Sequence, residues 1–405
     1  MTEKAQDMGV GQGVVTVDVD PFSPEALRNP YPMWAQLRDA GPVVWIPKYG
    51  YYLMARHAEV QAAQQNWQNF TTSGGAGMSD IRKPGAWRKP GPIVEVDPPD
   101  HTRIRKVVNG IVSPVVVRGW RERFQRDANA LVDGLLQLDR FDGVRDVAEA
   151  YVLKVFPESM GIDLNREQAI AVGDLNFNSL GPNNELVQKS REQVAPFIEW
   201  WEESLKGQTM KPGGFGEKLF LAERAGELAP GLASGLTMTF LRGGLDTTIS
   251  SIGSALWLLA AHPDQWQLLK KDPALVRGVF EETLRLESPI KTNFRTTRGE
   301  CTMAGITLRD DTKVQLLLGS ANRDPRRWND PDAFDIRRAT AGHVALGTGI
   351  HACVGQMIAR LEFDCVLNAL LAKVERIELD GTPRHRMSNA LHTLDELPLR
   401  VHAHG

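Results

Sequence analysis

The stretch Gly347-Thr348-Gly349-Ile350-His351-Ala352-Cys353-Val354-Gly355 places one cysteine among three glycines, with a histidine two residues before it. The residues that follow, Gln356-Met357-Ile358-Ala359-Arg360-Leu361-Glu362, carry helical spacing. A sulfur presented just before a helix start meets free backbone N–H groups and the positive end of the helix dipole. Those donors lower a thiol's pKa and hold it as an anion. An anionic sulfur with donors aimed at it is the axial ligand that a haem iron takes.

A lone cysteine is more ordinarily a small buried hydrophobe. That reading suits Cys365, inside an apolar helical run, and Cys301, at the start of a strand-like stretch. A zinc site needs about four ligands. His351 and Cys353 supply two, and no second Cys/His pair lies at suitable spacing.

Composition narrows the classes of function. The 405 residues are 42% hydrophobic and 24% charged, enough for a large core. A net charge of −3 gives no nucleic-acid signal. Three cysteines make no disulfide framework, which suggests a reducing compartment. The first 20 residues lack the apolar stretch of a signal peptide, and no apolar run of about 18 residues occurs. The expectation is a cytoplasmic protein with no membrane partner: a flexible segment over 1–18, then a single domain over 19–405.

Helical periodicity dominates. Pro32–Ala40, Pro114–Gln137, Arg166–Leu180, Gln188–Leu205, Pro230–Ala261, Pro273–Glu287 and Val354–Lys373 read as amphipathic helices. Short strand-like stretches are Val43–Ile46, Tyr51–Ala55, Thr302–Ile306, Lys313–Leu318 and Arg400–His402. The fold class is mainly α with small β-sheets. Thr72–Ser79, with 82–92, reads as a long, flexible Gly- and Pro-rich loop, and such loops inside compact domains are usually functional.

Three further groups carry chemistry. Glu282 and Arg285 stand at i, i+3 on one helix face and can pair, although such pairs are ordinarily exposed and worth little. Gly243 and Gly244 interrupt a long helix at a cost of roughly 1 kcal/mol each relative to Ala. They suit tight helix packing or the approach of a flat ligand, and the acid and hydroxyls of Asp246-Thr247-Thr248 directly after them favour the second. His101 and Arg105, at i and i+4, form one basic face.

Taken together, these segments resemble the cytochromes P-450. Gly349, His351, Cys353 and Gly355 match the family's haem-ligand loop, with Leu346 where the family has Phe. The resemblance implies the cytochrome P-450 fold, with haem b between a long distal helix and a proximal loop whose Cys353 ligates the iron. It implies a buried Glu282–Arg285 pair joined by Arg338, with Arg337 in reserve, and propionate contacts from His101, Arg105, Arg295 and His351. Gly243 and Gly244 match the oxygen-activating helix, where Thr247 would bond dioxygen and Asp246 would relay protons.

Several segments, among them 37–44, 212–216 and Phe294-Arg295-Thr296-Thr297, resemble the bacterial monooxygenases of para-substituted benzoates such as 4-methoxybenzoate. That likeness makes Arg88 a contact for the substrate carboxylate, and Phe177, Leu180, Thr239, Gly243, Ile290 and Asn293 the pocket wall. Gly91 stands where a serine would assist, and Leu180 and Asn293 replace aromatics. Arg242 occupies a small polar position. An arginine there is costly unless it meets an anion, which is either a substrate carboxylate or phenolate or a neighbouring acid in a salt bridge.

The implied activity is insertion of one oxygen atom of O2 into a C–H bond of a small aromatic acid, giving hydroxylation or O-demethylation. Electrons would come from NAD(P)H through a reductase and a small iron–sulfur ferredoxin, steered by Arg103, Lys106, Arg118, Arg121 and Arg360. Each of those five is more ordinarily a plain solvated surface charge. The competing readings are a non-catalytic haem-thiolate sensor and a monooxygenase for a different small organic substrate. The Asp246-Thr247 pair favours catalysis, since a sensor needs no proton relay.

Overall fold

The computed structural model describes residues 13–404. Helices build the body and four small sheets lie beside it, as periodicity led us to expect. The largest sheet has six strands in the order Val15–Thr16, Val44–Ile46, Tyr51–Met54, Lys313–Leu317, Thr292–Thr297 and Phe70–Thr71. Tyr51–Met54 pairs parallel to Lys313–Leu317, and Thr292–Thr297 antiparallel to it. This register sets Asn293 opposite Leu316 and Arg295 opposite Val314. Of the segment expected to be loose, residues 1–12 lie outside the described part. Val15–Thr16 is already an edge strand on Val44–Trp45.

Several expected helices are shorter than their periodicity. Pro196 stops a helix at Val194; a 3-10 turn follows over Ala195–Phe197, and Ile198–Ser204 resumes. Pro114–Gln137 divides into Pro114–Arg118 and Arg121–Leu135 around Gly119. The long run Pro230–Ala261 is two helices, Leu232–Gly244 and Asp246–Ala261, broken at Leu245. Strand Thr292–Thr297 was missed because its alternation is weak and all but Asn293 are buried. The expected strand Thr302–Ile306 is a hairpin, Cys301–Met303 against Ile306–Leu308.

The main core lies among the helices. Phe124, Tyr151, Val152, Phe156, Phe215, Trp266, Phe280 and Phe363 are buried there. Cys365 belongs to it and is wholly enclosed, as its apolar surroundings suggest. Burying that much aromatic and aliphatic surface, at about 25 cal/mol per Å², fixes the helices against which the site is built.

The loop expected to be flexible carries no regular structure over 72–99 but is pinned. Lys313 Nζ donates to the carbonyls of Gly74 at 2.6 Å and Gly75 at 2.8 Å. Met78 N–H donates to Leu180 O, and Arg82 links Asp80 to Asp311.

Candidate active site

The cysteine loop is set by its glycines. Gly347 and Gly349 have φ of +66° and +68°, and a Cβ at Gly349 would lie 2.7 Å from Gln64 O. Cys353 N–H donates to Leu346 O at 2.8 Å, and helix Gln356–Lys373 starts three residues after the sulfur. The amides of Gly355 and Gln356 and the cations Arg105 and Arg360 pull the thiol's pKa down, but burial outweighs them and pushes it up. The amide donors foreseen from the sequence are therefore present yet insufficient alone. A metal's positive charge is what makes a buried thiol a thiolate.

Behind the loop, Glu282 and Arg285 are wholly buried in helix Val276–Glu287 and form a two-pronged pair, Nε–Oε2 2.7 Å and Nη2–Oε1 2.8 Å. Arg338 Nε reaches Glu282 Oε1 at 2.9 Å. Arg337 turns to Asp335 instead. Arg285 also donates to the carbonyls of Asn322, Pro331 and Ala333, so its charge is fully bonded.

On one side of Cys353 the residues expected to hold propionates converge. The rings of His101 and His351 lie 4.5 Å apart, and His101 Nε2 is buried with no partner. Arg295 is enclosed and donates to Phe294 O at 2.9 Å. Burial, with Arg295 and His101 nearby, pushes His351 down to about 3. Arg105 stays close enough to both histidines to act on them and donates to Ala352 O at 2.6 Å, holding the loop itself. A buried imidazole nitrogen without a partner beside an enclosed arginine suits an anionic group such as a haem propionate, and the residues fit haem.

On the other side, the two glycines end the helix just before the break at Leu245, and their surroundings differ. Nothing lies within 4 Å of a Cβ built on Gly243, which is exposed to open space. A Cβ on Gly244 would strike Phe156 at 2.2 Å. Open space thus lies at Gly243, and tight packing at Gly244. Thr247 Oγ1 donates to Gly243 O at 2.6 Å across the break.

Asp246 is buried against Arg386 and Gly173. Burial raises its pKa to about 6, opposed by Arg386, whose Nη2 lies 3.2 Å from Oδ1, and aided by Asp174. Arg386 comes from the short strand Arg384–Arg386, and the sequence offered no signal for it. Asp174, Asp246 and Arg386 border a cavity of about 380 Å³ that Glu149, Arg166 and Lys189 also line. Glu362, in the helix after Cys353, is a second acid the sequence reading passed over; burial holds its carboxyl well above the usual range.

The residues expected to contact substrate fall into two groups. Phe177, Leu180 and Ile290 share an apolar cluster with Ala390 and Leu391. Arg88 Nη1 lies against Gly77 and Leu180 but is taken by Glu95, 3.0 Å away. Gly91, in the place of the expected serine, donates its N–H to the same carboxylate at 2.8 Å. Arg242 forms no ion pair among the described residues, and Glu95 is the acid near enough to act on its charge. Its guanidinium stacks on Trp201 at 4.9 Å, Nε has no partner, and burial lowers its pKa to about 10. Thr239 spends its hydroxyl on Gly235 O, and Asn293 Oδ1 lies 3.5 Å from Arg295 Nη1.

The family model for cytochrome P450 matches residues 183–395. The chain is 44% identical to a cytochrome P450, CYP199A2, of Rhodopseudomonas palustris, over 96% of this chain and 95% of that one. The chain belongs to the cytochrome P450 family. This cytochrome P450 is also 31% identical to a beta-dihydromenaquinone-9 omega-hydroxylase of Mycobacterium tuberculosis, over 95% of its own length and 78% of the relative's. It superposes on the solved P450 CYP109Q5 of Chondromyces apiculatus with a TM-score of 0.79 and 31% identity, covering 96% and 99% of the two chains. As a P450 it is a monooxygenase that binds haem through a cysteine thiolate and uses O2 and electrons from redox partners. No described helix is long and apolar enough to cross a membrane.

Proposed function

We propose that this P450 hydroxylates or O-demethylates a small aromatic acid, the class that para-substituted benzoates represent. The observation that carries this reading is Arg242, a half-buried arginine whose enclosed Nε has no partner, one residue before the open Gly243. A buried arginine without a counter-ion is costly, and a substrate carboxylate or phenolate supplies one. Phe177, Leu180 and Ile290 offer the apolar wall for the ring.

Cys353 would hold the iron, and His101, Arg295 and His351 the propionates, with Arg105 bracing the loop. Haem so bound supplies the activation of O2. Thr247 places its hydroxyl beside Gly243, with its proton given to Gly243 O and its oxygen left to accept a hydrogen bond. Asp246 holds a proton up to about pH 6 at the edge of the polar cavity, and Arg386 sets its direction. A ferredoxin would deliver electrons. Of the cations expected to steer it, Arg103, Arg121 and Arg360 already pair with Asp100, Asp364 and Glu281, which leaves Lys106 and Arg118 exposed for that role.

The test is a panel of para-substituted benzoates and their methyl esters, scored by the haem spin-state shift on binding. The acids should shift it and the esters bind about tenfold more weakly, the worth of one charge-assisted hydrogen bond. Equal binding of acid and ester would remove the aromatic-acid reading and leave the family assignment intact.

A further inference from the structure

Glu95 is an acid buried beside Arg88, one of the residues expected to contact substrate. Its side chain is 2% exposed and accepts from Arg88 Nη1 at 3.0 Å, Gly91 N at 2.8 Å and Ala76 N at 3.4 Å. These three donors stand around it as they would around a bound carboxylate. Gly91 permits this closeness, because a Cβ there would lie 2.6 Å from Glu95 Oε2. Glu95 is also near enough for Arg242, Arg295 and Lys313 to feel its charge. Lys313 spends its protons on Gly74 and Gly75, and Arg295 faces the propionate cluster. Two cations remain for a ligand, and Glu95 silences one of them.

We infer that Glu95 determines specificity: it is an internal carboxylate that occupies Arg88 Nη1 and the Ala76 and Gly91 amides, so that the pocket accepts one anionic group, at Arg242. This rests on the reading of the pocket as an aromatic-acid site. Its consequence is selection by charge count. A monocarboxylate finds one free guanidinium, whereas a dicarboxylate brings a second charge that Glu95 repels and Arg88 cannot receive.

The experiment compares holoenzymes of wild type, Glu95→Gln and Arg88→Gln/Glu95→Gln, each checked for the ferrous–CO band of a thiolate-ligated haem. Each is titrated optically with 4-methoxybenzoate, its methyl ester and benzene-1,4-dicarboxylate. In Glu95→Gln the acid-over-ester affinity ratio should rise about tenfold as the Arg88 charge loses its internal counter-ion. The dicarboxylate, rejected by wild type, should bind. The double variant should return to the wild-type ratio. If Glu95→Gln does not retain haem, Glu95→Asp, too short to span Arg88 and Gly91, should show the same direction with smaller size. An unchanged ratio, or a gain that survives loss of Arg88, overturns the role of Glu95. The wild-type ratio alone judges the aromatic-acid reading, so the two can fail separately.

Discussion

At the scale of single residues, adjacent glycines do different work. Gly244→Ala drives a methyl into Phe156, so it should cost about 1–3 kcal/mol of stability, read as a lower Tm of the holoenzyme. Gly243→Ala meets open space and gains helix propensity of roughly 1 kcal/mol. It should leave Tm level or raised while changing substrate affinity. Equal losses at both positions would contradict the division. Arg242→Gln should weaken acid binding about tenfold and leave ester binding unchanged, since it removes one charge-assisted partner. For Asp246 the folded pKa of about 6 lies above the usual 3.8. Its contribution to stability is therefore full below pH about 4 and lost as pH rises through 6. Asp246→Asn should remove that slope from Tm against pH.

At the scale of elements, the two breaks near the site have distinct origins. The distal helix parts at Leu245, where Thr247 returns its hydroxyl to Gly243 O instead of leaving the backbone to close its own turn. The glycine pair and hydroxyls were visible in the sequence, but a continuous apolar periodicity concealed the break. The 72–92 loop shows the opposite error. Glycine content suggested freedom, yet Lys313, more than 220 residues away in sequence, clamps it. No local pattern carries such a contact. Lys313→Ala should raise amide exchange over 74–81 while the six-stranded sheet stays protected, and uniform exchange changes would show that the clamp does not act locally.

At the scale of the molecule, what was legible follows from where the constraints lie. The cysteine loop and the Glu282–Arg285–Arg338 network are fixed by local spacing and by the family's motif order, and both lie as expected. The substrate side was less legible, because its charges are settled by partners far apart or with no motif. Glu95 turns Arg88 inward, Arg386 from the last sheets holds Asp246, and Trp201 receives Arg242. The buried network also sets overall stability. Glu282→Ala leaves Arg285 charged and unpaired at zero exposure, so it should cost about 3–5 kcal/mol and release haem, seen as a lost Soret band on mild heating.

The most direct measurement is turnover of 4-methoxybenzoate by the holoenzyme supplied with ferredoxin, reductase, NADH and O2. The expected result is 4-hydroxybenzoate and formaldehyde in step with NADH consumption, with little product from the methyl ester. Consumption of NADH without product, or equal product from acid and ester, would contradict an aromatic-acid monooxygenase whose pocket is set by Arg242.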